Sequence, residues 1–179
     1  MRIASLRRFL CTALLLRCVV LAEPASEFDV KAAFLLNFTK FIEWPPSAFA
    51  AADSPMNICV IGKDPLGAAL DEIVQGEAVN GRRVAVERLP AMPPPKTCQL
   101  IYISAEGKGI EKMLSGVGPG VLTVGEGDDF LRGGGMIGFV IENRRVRFDI
   151  NQAAAEGAAL KLSSKLLRVA RFVEHRPPG

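Results

Sequence analysis

Histidine is nearly absent from this 179-residue chain: the single copy, His175, lies four residues from the end. No cysteine or regularly spaced acid accompanies it, so it completes neither a metal-ligand set nor a nucleophile–base pair, and the serines have no histidine partner. It reads as a solvated tail residue. Tryptophan and tyrosine also occur once each. Internal repeats, low-complexity tracts and, beyond the first 22 residues, apolar runs of the ~20 residues a membrane helix needs are all missing. A hydrolase has no nucleophile and base that can be named.

Basic charge is scarce as well once the N-terminus is set aside. Arg2, Arg7 and Arg8 precede an apolar stretch from Phe9 to Leu16, and Val20-Leu21-Ala22 forms a small-residue cleavage pattern before Glu23. Residues 1–22 are therefore expected to be an export signal. Its removal takes four of the 22 basic residues (Arg2, Arg7, Arg8, Arg17) and no acidic one, leaving 18 against 19. That balance argues against nucleic acid as a partner, since phosphate binding needs a clustered basic surface. An uncleaved anchor over Phe9–Ala22 would be short for a bilayer. Leu15-Leu16-Arg17-Cys18 and Arg7-Arg8 only partly match a lipoprotein box and a twin-arginine signal. Cys11 and Cys18 leave with the signal, so Cys59 and Cys98 remain in an oxidising compartment. One disulfide between them is expected; two separately buried thiols are the alternative.

The remaining 157 of 179 residues suit one domain with its own core. Phe34, Phe38, Phe41 and Ile42 recur at helical spacing between Val30 and Trp44, with Lys31, Asn37, Lys40 and Glu43 on the polar side, until Pro45-Pro46 stops the helix. Asn57–Ile61 reads as a buried strand, and Asp64-Pro65 then starts a helix reaching about Val74. Further strands are expected at Arg83–Leu89, Leu100–Ile103 and Val121–Val124, with a short helix at Gly107–Leu114 and a proline-rich loop at Pro90–Pro95. Met136–Ile141 and Arg145–Ile150 should form a hairpin with one solvated face. Asn151 is expected to cap a long final helix with Leu162, Leu166, Val169 and Val173 on one stripe and Lys161, Lys165, Arg168 and Arg171 solvated beside it. Residues 174–179 read as a disordered tail. The fold class is thus α/β: a single domain over residues 23–173, a mixed sheet of about six strands flanked by helices, the first and last amphipathic.

Several motifs look chemical and fail on context. Gly133-Gly134-Gly135-Met136-Ile137-Gly138 has the letters of a dinucleotide fingerprint but precedes a strand instead of following one. Gly62–Gly67 lacks the lysine and hydroxyl of a phosphate loop, because Ala68 and Ala69 stand there. Glu126, Asp128 and Asp129 lack calcium-loop spacing and read as caps of a turn at Phe130. No cofactor or metal is called for. Binding residues are easier to name. Phe34, Phe38, Phe41 and Trp44 give the first helix interface-type aromatic surface, Lys165, Arg168 and Arg171 give the last helix a cationic face, and Arg82, Arg83, Arg145 and Arg147 are candidates for an anion or an acidic partner.

Three stretches together carry a resemblance: Lys31-Ala32-Ala33-Phe34-Leu35-Leu36-Asn37-Phe38-Thr39-Lys40-Phe41-Ile42-Glu43-Trp44-Pro45; Gly134-Gly135-Met136-Ile137-Gly138-Phe139 with Arg145-Val146-Arg147-Phe148-Asp149-Ile150-Asn151; and Leu162-Ser163-Ser164-Lys165-Leu166-Leu167-Arg168-Val169-Ala170. Asp64-Pro65-Leu66-Gly67, Gly81-Arg82-Arg83 and Leu122-Thr123-Val124 lie between them in the same order. The ordered set resembles the YfiR/HmsC-like family of small periplasmic α/β regulators. The resemblance implies a non-catalytic protein that holds the periplasmic sensory domain of an inner-membrane diguanylate cyclase inactive, so that its release raises cyclic di-GMP and favours biofilm formation. Members with two disulfides exist, whereas the mature form of this sequence has cysteines for one. A small-ligand-binding sensory module reporting to another membrane receptor or kinase is the second reading, and a homodimer is compatible with either.

Overall fold

The structure is a computed structural model that describes residues 25–104 and 109–175. The expected export signal (1–22) and residues 176–179 of the expected tail lie outside them. Among the described residues no helix is long and apolar enough to cross a membrane.

The opening helix, α1 (Glu27–Phe41), starts a turn earlier than its apolar spacing suggested, because Ser26 and Asp29 close a capping box and Glu27 and Asp29 place negative charge at the helix N-terminus. It also ends before Trp44. Ile42–Glu43 leaves helical geometry as β1, since Trp44, the residue before Pro45, disfavours a further helical turn and a partner strand, Lys161–Leu162 (β9), waits to pair with β1.

The main sheet uses β2 (Met56–Gly62), β3 (Ala78–Val79), β4 (Arg82–Leu89), β5 (Leu100–Ser104), β6 (Leu122–Glu126), β7 (Ile137–Glu142), β8 (Arg145–Asn151) and β10 (Phe172–Glu174). Their order is β10-β8-β7-β6-β5-β2-β4-β3. The six long strands match the expected mixed sheet; β3 and β10 are two- and three-residue edges, too short to leave a period in the sequence. The run β4-β2-β5-β6-β7 is parallel, and its 2-1-3-4-5 order is one of the doubly wound arrangements. Alternation along these strands feeds two cores. Ile58, Val60, Leu100 and Tyr102 join α1 and α2 (Gly67–Val74) on one face, while Cys59, Ile61, Ile101 and Ile103 meet α3 (Ile110–Leu114) and α4 (Gly127–Arg132) on the other. Asp64 accepts from the Leu66 and Gly67 N–H groups at 3.0 Å and so opens α2 as expected.

Cys59 and Cys98 are bonded, with Cα atoms 5.9 Å apart, joining β2 to the chain just before β5 on the α3/α4 face. The glycine-rich run enters β7 as a close-packed turn. A Cβ on Gly135 would lie 2.2 Å from the Phe130 ring, and one on Gly125 2.3 Å from it. Hairpin β7–β8 turns through Asn143 and Arg144, both at positive φ, the geometry whose twist suits a two-residue turn.

The long final helix does not form. Asn151 caps only α5 (Gln152–Gly157); the chain turns at Ala159 (φ 60°), pairs as β9, restarts under a Ser163 cap as α6 (Ser164–Val169), and ends as β10 beside β8. Leu162, Leu166 and Val173, expected on one helical stripe, belong to three elements that all pack on the same core. Glu174, expected in the tail, pairs with Asn151 as the last residue of β10.

Candidate partner-binding groove

Helix α1 lays its aromatic stripe across β7 and β8. Phe38 is fully buried, its ring 5.0 Å edge-on from Phe148 and 6.0 Å from Phe139, and Phe34 stacks on it at 5.9 Å. Helix α6 is too short to cover the rest of this stripe. Between the two helices an apolar groove of ≈ 240 Å³ stays open, floored by Phe38, Phe148 and Leu166 and walled by Phe34, Phe41 and Val169, with Asn37 and Lys165 at its mouth. Phe41 is 38% and Val169 58% exposed. Lys165 and Arg168 are exposed on α6, and neither forms an ion pair among the described residues. Lys40, also on α1, is held by Glu77 at 2.8 Å. The groove is therefore apolar inside and positive at its α6 rim.

Other expected contact residues lie elsewhere. Trp44 donates its indole N–H to the Gln99 carbonyl at 3.1 Å, fixing β1 to the start of β5. Arg171 is exposed but not free beside Lys165. Its guanidinium grips the buried Asp149 carboxylate through two bonds, one of 2.8 Å, with Asp128 and Glu142 at 3.8 and 3.9 Å, and the Asp149 bond raises its pKa further above the usual range. It clamps the chain that leads into β10. Arg82 is committed to the Ser54 and Ala51 carbonyls (2.6 and 3.2 Å) and stacks on Phe49 at 3.8 Å, and Arg83 is exposed beside it. Arg145 and Arg147 sit on β8, five strand spacings from β4, or ~24 Å. The four arginines thus form two separate places, not one anion site.

Sequence reasoning missed one polar cluster. Lys31, expected on the solvated side, is buried, and its Nζ donates to Glu27 at 2.6 Å and to Glu126 at 2.9 Å. The Tyr102 hydroxyl donates to the same Glu126 at 2.6 Å. Burial pulls the Lys31 pKa down, but the two carboxylates outweigh it and the net shift is upward. Burial first, then the neighbouring Glu126 charge, raises that of Tyr102. The Glu27–Lys31 spacing of four was the available signal; the Glu126 partner, 95 residues away, was not. With Lys31 and Tyr102 both bonded to it, Glu126 ties α1 to β5 and β6. Asp129 pairs with Arg132, and no group of three or more His, Cys, Asp or Glu among the described residues is arranged to hold a metal.

Fold and groove together define a doubly wound α/β domain whose recessed apolar surface suits a macromolecular contact. The family model for YfiR/HmsC-like proteins matches residues 28–171, and the chain belongs to that family. The family is one of periplasmic regulators, known for regulation and not for catalysis. No curated relative matches the sequence.

Proposed function

We propose that this protein, exported by residues 1–22, is a non-catalytic repressor of an inner-membrane signalling enzyme, a diguanylate cyclase, and that it acts by binding the enzyme's periplasmic sensory domain. The observation that carries the reading is the groove between α1 and α6, where apolar side chains stay open beside Lys165, with Arg168 on the same helix and neither in an ion pair among the described residues, in a protein of a regulatory family. Buried apolar anchors supply most interface energy, and rim charges select an acidic partner face. Deleting the gene should raise cellular cyclic di-GMP and surface attachment, and a copy lacking residues 1–22 should behave like the deletion. At the level of the site, Lys165→Glu with Arg168→Glu should weaken binding to the sensory domain by about tenfold or more while thermal stability stays unchanged. Equal cyclic di-GMP in wild type, deletion and export-defective strains would remove the cyclase from the proposal, and unchanged binding by the double variant would remove the groove rim.

A further inference from the structure

The tip of hairpin β7–β8 lies beside the first turn of α1. Strand alternation puts Ile141 and its cross-strand partner Val146 on the face of Phe139 and Phe148, and Ile141, beside the first turn of α1, is 53% exposed. A recess of ≈ 500 Å³ lies between the hairpin tip and that turn, with Val30, Ile141 and Val146 as its apolar part and Arg144 and Arg145 at its edge. Phe28, 43% exposed, sits on the same turn of α1.

Two of the three acids nearby face a cation of the domain. Glu27 bonds Lys31, Asp29 accepts from the Ser26 N–H, and Glu142 lies 3.9 Å from Arg171. Arg144 and Arg145 form no ion pair among the described residues. The α1 N-terminus is closed by its own capping box, so this end offers no vacant pocket for a small anion. It has exposed apolar side chains at the outermost rim of the domain with guanidinium groups beside them. A flat anionic surface with an apolar interior satisfies both at once, the arginines at headgroup level and Ile141 and Phe28 below it.

Position argues the same way. Ala25 lines this recess, and the three peptide units back to Ala22 span at most ~11 Å. On the export reading proposed above, this end of the domain faces the membrane when the signal is released. We propose that the hairpin tip and the first turn of α1 form a contact site for the anionic phospholipid surface of the inner membrane. It rests on that export reading. Membrane contact confines the regulator to the layer where its partner's sensory domain stands and raises the effective concentration of the α1/α6 groove there.

The test is co-sedimentation of residues 23–179, which contain every element of the fold, with phosphatidylcholine vesicles with and without phosphatidylglycerol. The wild type is expected to partition onto the phosphatidylglycerol vesicles and to leave them as salt is added. Each surface cation contributes about fivefold, so Arg144→Glu with Arg145→Glu should lower partitioning by at least ~20-fold, and Ile141→Ser should lower it on its own. Arg83→Glu with Lys161→Glu, the same charge change on β4 and β9 away from the hairpin tip, should leave it within about twofold, thermal unfolding serving to show that each variant is folded. Absence of wild-type partitioning, or equal loss in both double variants, overturns the proposal. So does a tip variant that keeps vesicle binding but loses the sensory domain, because the tip is then a protein contact. Cell fractionation reads the export premise separately from the vesicle result.

Discussion

The two faces of the sheet are closed by different means. On the α1 face, rings from distant parts of the chain interlock, with Phe34 and Phe38 from α1 set against Phe139 and Phe148 from the hairpin and the Lys31–Glu126–Tyr102 cluster bolted beside them. On the α3/α4 face the helices are short, the Cys59–Cys98 bond crosses between neighbouring strands, and glycines at 125 and 135 let the backbone press against the single Phe130 ring. One face is held by volume and the other by covalent and backbone closeness. The groove opens on the first, so a defect there should reach binding, whereas a defect on the second should reach stability alone.

Phe38→Ala breaks the first face at its centre and carries the largest expected effect. Truncating a fully buried phenylalanine costs about 3–5 kcal/mol, and because Phe38 floors the groove, sensory-domain affinity should fall with stability. Chemical denaturation and binding measured on the same preparation check both. Replacing Cys59 and Cys98 together with alanine should cost about 2–4 kcal/mol by releasing a loop of 39 residues, and affinity measured well below the unfolding temperature should not change. Parallel losses of affinity in both variants would erase the distinction between the faces. In the wild type, thiol labelling of the denatured protein should appear only after reduction.

The smallest effect sharpens the comparison through pH. Lys31 and Tyr102 both have folded-state pKa values above their ordinary 10.5 and 10.0, so the folded state holds protons that the unfolded chain releases. Their contribution is complete below about pH 10 and is lost as pH rises further, at no more than about 1.4 kcal/mol per group per pH unit. Denaturation midpoints from pH 7 to 11 should fall at the alkaline end, and Tyr102→Phe should flatten that fall. An unchanged alkaline slope in the variant would take Tyr102 out of the account.

Much of this fold is legible in the sequence where a period runs uninterrupted. Asn57–Ile61, Leu100–Ile103 and the Val146/Phe148/Ile150 alternation mark strands, and two cysteines flanking adjacent strands mark the bond. The final segment misleads because Leu162, Leu166, Val169 and Val173 keep helical spacing across β9, α6 and β10, since each element turns its apolar side to the same core or groove. Gly157 and the paired Ser163-Ser164 were the signs of a stop and a fresh cap. The groove was legible only in part. Phe34, Phe38, Phe41 and Lys165 do converge on it, but Trp44 and Arg171 are taken by Gln99 and Asp149, pairings that depend on strand order and leave no local trace.

The seating of α1 also sets an order of events. Phe38 is translated early, and its principal ring partner, Phe148, comes 110 residues later. At synthesis rates of roughly 5–20 residues per second the interval is on the order of 5–20 s, during which the stripe has no native seat, and on the export reading proposed above Cys59 and Cys98 meet an oxidising compartment only after leaving the cytoplasm. The seat of the helix that begins the domain is thus a contact of high sequence separation, which needs nearly the whole domain present before it can form.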